Sequence, residues 1–210
     1  MFKKSLYALP LIFISCSALS VPVANLKVIG EIVPPTCTIN GLSNASIEYV
    51  FNVSPNLFPD TASYQLDGIS KKIQIICDST TYLTLNAQDN RENSVNIGGT
   101  TNYAFGLGMF DTDKKVGYYI INMKNPTVQA NNQSGEKQVG MLANNTYLDD
   151  EMIVTKSYTI AWAAAQNQLA SGQVFSAEFE VTPYLNGNLK NHTGDASLDG
   201  HATLTFGFAI

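Results

Sequence analysis

The chain has 210 residues, 45% of them hydrophobic and only 14% charged, with 12 Lys+Arg against 17 Asp+Glu and a formal net charge of −5. That charged share lies well below the roughly 25% of an average soluble protein, and Gly, Asn, Ser and Thr fill the difference, which suits strands and polar turns and argues against coiled coils and disordered tails. So small a basic complement leaves no positive stripe for a phosphate backbone, which argues against a nucleic-acid partner, and a chain of this length holds one domain or two very small ones.

Lys3 and Lys4, an apolar run over residues 6–14 and small residues over 15–20 follow the charged, apolar, small order of a secretory signal peptide. The apolar run is too short to span a bilayer. Cleavage is expected after Ser20 or after Ala24, so residues 1–24 are read as signal and 25–210 as the exported domain. A different reading takes Phe13-Ile14-Ser15-Cys16 as a lipoprotein box, with Cys16 carrying the lipid anchor. Loss of Lys3 and Lys4 takes the net charge to −7. Loss of Cys16 leaves Cys37 and Cys77, and an even pair in an oxidising compartment predicts one disulfide, which contributes about 3–4 kcal/mol in the loop-entropy model.

The rest reads as strands. Leu26, Val28 and Ile32 alternate with Lys27 and Glu31 before Pro34-Pro35, which predicts a first strand over 26–33. Ile73, Ile75 and Cys77, then Leu83, Leu85 and Ala87, predict two strands separated by a polar turn. Shorter strands are expected over 103–110, 117–122 and 138–142. Tyr158, Ile160 and Trp162 alternate like a strand that gives way to a loop or short helix over the Ala-rich residues 161–170. Phe175, Ala177, Phe179 and Val181 form another alternating run. In the last, Leu198, Ala202, Leu204, Phe206, Phe208 and Ile210 share one face. Residues 90–102 and 186–194 read as surface loops. Many one-sided strands with polar turns predict an all-β antiparallel sandwich.

Gly30-Glu31-Ile32-Val33-Pro34-Pro35-Thr36-Cys37 resembles the opening of fimbrial subunits exported by bacterial chaperone–usher systems. Ile75-Ile76-Cys77 with Leu83, Leu85 and Ala87-Gln88-Asp89-Asn90-Arg91 resembles a fimbrial-like family usually found beside such chaperones. Phe105-Gly106-Leu107-Gly108, Val116-Gly117-Tyr118-Tyr119, Phe179-Glu180-Val181-Thr182-Pro183 and Asp199-Gly200-His201-Ala202-Thr203-Leu204 continue the likeness in order. The resemblance implies an immunoglobulin-like, pilin-like sandwich that lacks its last strand. The edge strand 198–210 would then pair with a periplasmic chaperone and afterwards with the N-terminal extension of a neighbouring subunit. Such subunits carry an aromatic as the penultimate residue, whereas here Ala209 stands there and Phe208 precedes it.

If 26–33 is the first strand, cleavage after Ser20 leaves five residues ahead of it, which reach only about 17 Å, roughly half of what a donor strand needs. The sequence therefore predicts a tip or minor subunit that accepts a strand without donating one, or else a non-polymerising relative.

Nothing in the chain assembles a nucleophile, a base and an orienting acid, so no enzyme activity, cofactor or metal is expected. His192 and His201 read as surface residues, and Asp111-Thr112-Asp113 and Asp149-Asp150-Glu151 as turns without the spacing of a Ca²⁺ loop. Tyr158 and Trp162 could stack on a host glycan, although a Trp on an alternating run more often packs in a core. Arg91 could contact a ligand, although Asp89-Asn90-Arg91 also suits an Asx turn with a local ion pair. The expected function is a structural or minor subunit of a surface fimbria, with chaperone, usher and neighbouring subunits as partners, passing through the periplasm to the cell surface. The alternatives are a glycan-binding tip adhesin and a self-complete periplasmic sandwich.

Overall fold

The computed structural model describes residues 22–54, 58, 63–98, 101–110, 113–130, 135–191 and 196–209. By internal contacts the chain divides into Met1–Val33 and Pro34–Ile210. In the first unit, residues 22–33 belong to no strand or helix and every one is exposed. The strand expected over 26–33 is therefore absent. Its alternation of Leu26, Val28 and Ile32 marks a face suited to burial, but Leu26 and Val28 are 95% and 96% exposed.

The second unit is an antiparallel β-sandwich. Its described residues form β1 (Cys37–Ile39), β2 (Ser63–Gln65), β3 (Ile69–Asp89), β4 (Phe105–Gly106), β5 (Met109–Phe110), β6 (Lys114–Lys115), β7 (Gly117–Gln129) and β8 (Lys137–Gln138). They continue with β9 (Gly140–Ala143), β10 (Thr146–Leu148), β11 (Glu151–Ile153), β12 (Ile160–Ala165), β13 (Gln168–Leu169), β14 (Ser171–Asn186) and β15 (Ala202–Phe208). The main path runs β10-β9-β12-β3-β14-β7-β11, with β1 and β15 both paired to β3.

β3 organises the unit. Its first half pairs with β14, from Ile69 opposite Val181 to Ile76 opposite Val174, and its second half pairs with β15 and β12. The polar run 78–81 was expected to reverse the chain; instead the strand continues through it, and the register with β14 shifts there. None of these residues takes the positive φ of a tight reversal, and Asp78 stays tied to the backbone of Thr36, beside β1. Ile73, Ile75 and Cys77 therefore face the same core as Leu83 and Leu85.

β7 also exceeds its expected end at residue 122. It passes Asn125-Pro126 by a bulge, where Asn125 sits at φ 50° and proline needs no donor. The Ala-rich run forms the hairpin β12–β13 rather than a helix, turning at Asn167 with φ 59°.

Cys37 and Cys77, directly opposed in the β1–β3 register, form the disulfide. The core lies between the layers: the fully buried Trp162 of β12 meets Phe175 of β14 edge-on at 5.9 Å and Phe206 of β15 at 6.4 Å.

Candidate functional site

β15 pairs with β3 from Ala202 opposite Asp89 to Phe208 opposite Leu83, and among the described residues it has no strand on its other side. Ala202, Leu204 and Phe206 are half-buried against the core, as is Leu198 ahead of the strand. Phe208 keeps the register of that face but is 39% exposed, because it forms the terminal pair of the ladder. Ile210 lies outside the described residues.

A second wall comes from the segment after β1. Asn40 and Gly41, at φ 50° and 82°, turn the chain out of the β1 ladder, and residues 44–53 follow. Ala45, Ile47, Tyr49, Phe51 and Val53 are half-buried while Asn44, Ser46, Glu48, Val50 and Asn52 are exposed, the period of a one-sided strand. Yet among the described residues no backbone–backbone hydrogen bond holds this segment. Side chains do so: the Tyr49 hydroxyl donates to the Phe179 carbonyl oxygen at 2.8 Å, and Lys71 Nζ donates to the Glu48 carbonyl oxygen. Burial pushes the Tyr49 hydroxyl pKa up to about 12, so it keeps its proton at any physiological pH.

The segment and β15 border one groove of ≈ 1250 Å³, floored by Ile73, Leu107, Tyr119, Phe179, Val181 and Leu185. Burial, with a smaller contribution from the Asp89 charge, raises the Tyr119 pKa as well. The groove thus offers an apolar floor between a strand paired on one side only and a strand-like segment that, among the described residues, makes no backbone–backbone hydrogen bond. That chemistry suits an extended peptide whose main chain hydrogen-bonds to the walls while alternate side chains enter the floor.

Asp89-Asn90-Arg91 supports the β15 wall. The Asp89 carboxylate accepts hydrogen bonds from the backbone N–H of Arg91 at 2.8 Å and of Gly106 at 2.9 Å, an Asx turn. Asn90 donates to the backbone oxygen of His201 and, through Nδ2, to Thr203 Oγ1 at 2.8 Å. Arg91 meets Asp199 through Nε and Nη2 at 3.0 and 3.2 Å. A side chain at Gly106 would strike the Arg91 carbonyl oxygen, so the turn is packed hard against β4. Arg91 is engaged with the segment leading into β15, which gives it the local ion pair considered from sequence.

Trp162 has no exposed surface, and its Nε1 donates to the Ser176 carbonyl oxygen at 3.2 Å. It presents no face to a sugar, so the glycan platform loses its main ring. Tyr158 is 43% exposed and stands without it. His201 is exposed beside β15; His192 and Cys16 lie outside the described residues. No group of three or more potential metal ligands gathers among the described residues.

No protein-family model matches this chain, and no curated protein matches it at a significant level.

Residues 44–53 belong to none of the strands expected from sequence, although Ile47, Tyr49, Phe51 and Val53 carry the alternation. The segment lines the groove together with β15.

Proposed function

We propose that the chain is an exported structural subunit of a surface fibre, of the chaperone–usher fimbrial kind its sequence resembles, and that its groove takes an extended strand from a neighbouring molecule. The observation that carries this reading is the groove itself, an apolar floor bordered by β15, which among the described residues pairs only with β3, and by segment 44–53, which has no ladder there. Recognition is then strand addition, in which main-chain hydrogen bonds supply affinity and alternate side chains supply register.

Residues 22–33 fit the role of the donated strand. They carry Leu26, Val28 and Ile32 at alternating positions and leave them in water, a costly state for apolar side chains, each worth about 1.5–3 kcal/mol on burial. Because the first described strand begins at Cys37, the premise that this chain is too short in front to donate no longer holds. With the signal cut after Ser20, residues 21–36 span about 50 Å when extended, against about 23 Å for a seven-residue strand such as β15. The subunit both gives and accepts a strand. A periplasmic chaperone covers the groove before assembly, the usher and neighbouring subunits are the later partners, and no catalytic step, cofactor or metal enters.

The test uses full chain purified from periplasm, with Leu26→Asp/Val28→Asp alongside. Light scattering and electron microscopy should show linear chains for the unsubstituted protein and monomers of unchanged circular dichroism for the variant. An unsubstituted chain that stays monomeric and binds no copy of residues 22–35 contradicts the proposal and speaks for a self-complete sandwich.

A further inference from the structure

The two walls of the groove are held by different means. β15 is fixed by its ladder to β3, by Asn90 on Thr203 and by Arg91 on Asp199. Segment 44–53 has no ladder among the described residues and rests on side chains. Its two pins converge on a single register pair: Tyr49 donates to the carbonyl oxygen of Phe179, and Lys71, directly opposite Phe179, donates to the carbonyl oxygen of Glu48. Lys71 Nζ also lies 5.4 Å from the centre of the Tyr49 ring, a cation–π contact that ties the pins together. Phe179 is itself paired on both sides, with Lys71 of β3 and Met123 of β7, so the anchor point is rigid.

A strand seated between two walls needs them about 9.5 Å apart, two strand spacings. We propose that segment 44–53 is the movable wall of the groove and that Tyr49 and Lys71 are positioning residues that hold it at the spacing an incoming strand requires. This rests on the groove being a strand-binding site. Loss of one pin lets the wall sample other positions, and apparent affinity falls in proportion to the fraction of molecules left competent. A single hydrogen bond of ordinary net strength corresponds to a loss of about three- to ten-fold.

The experiment measures binding of a fluorescent peptide copying residues 22–35 to the full chain by anisotropy, together with the melting temperature of the free chain. Tyr49→Phe keeps the ring and removes the pin; Lys71→Met keeps the stem and removes the other, which guards against one variant failing to fold. The expected result is an affinity loss of about three- to ten-fold in each variant, reversed in Lys71→Arg, which restores a donor to Glu48. Equal affinity in variants and unsubstituted chain, even with a lowered melting temperature, overturns the inference and leaves the groove reading standing. An unsubstituted chain that binds no peptide overturns the groove reading, and the inference with it.

Discussion

Trp162→Ala separates a core residue from a ligand platform. Trp162 is fully buried, with Phe175 and Phe206 against its ring and its Nε1 bonded to the Ser176 carbonyl oxygen. Truncating a buried aromatic to alanine costs about 3–5 kcal/mol through lost transfer energy and the cavity left behind. Removing the indole donor adds about 1 kcal/mol. For a domain of this size each kcal/mol moves the melting temperature by about 2–4 °C, so the variant should melt about 8–24 °C lower. The assay is thermal unfolding followed by circular dichroism, with Trp162→Phe expected to recover more than half of the loss. A Trp162→Ala protein that melts within about 2 °C of the unsubstituted chain refutes the packing argument.

Other expectations follow from the same contacts. Reducing the Cys37–Cys77 bond, whose partners are 40 positions apart, should cost about 4 kcal/mol by loop entropy, read as a lower urea midpoint; an unchanged midpoint tells against it. Asp89→Asn replaces a carboxylate whose side chain is wholly buried and accepts two backbone N–H groups. It should destabilise by about 1–3 kcal/mol, whereas Arg91→Ala, an exposed pair, should cost about 1 kcal/mol or less; equal losses in denaturant melts contradict that ranking. Glu136 accepts hydrogen bonds from Lys72, Thr127 and Ser176, and chiefly the Lys72 bond holds its pKa below the ordinary carboxylate value. Its contribution is therefore full above that ordinary value and fades as pH falls through the lowered one. The stability gap between the unsubstituted chain and Glu136→Gln should shrink between pH 6 and pH 3; a constant gap tells against this linkage.

Much of the sandwich was legible because alternation reports a face that needs burying. Phe175, Phe179, Leu204 and Phe206 all lie where their period places them, and the Cys37–Cys77 pair is the one the sequence left once Cys16 was assigned to the expected signal. Alternation is silent on where that burial happens, which is why 26–33 read as a strand of this molecule when its apolar face is exposed here. The same limit hid the groove, since 44–53 carries a strand's pattern without a strand partner among the described residues. At 78–81 a polar run suggested a turn, but the buried positions on either side, Ile73, Ile75 and Cys77 then Leu83 and Leu85, are all odd-numbered. One uninterrupted strand keeps that phase, and a reversal has no need to. Arg91 and Trp162 were each open to two readings because only the folded chain brings Asp199 to one and Phe175 to the other.

Strand addition is tested most directly by amide hydrogen exchange on the full chain with and without a peptide copying residues 22–35. The account predicts that protection rises together at amides in 44–53 and along the open side of β15, on both walls, while β7 and the rest of the core stay unchanged. Peptide binding that protects neither wall, or only one, contradicts it.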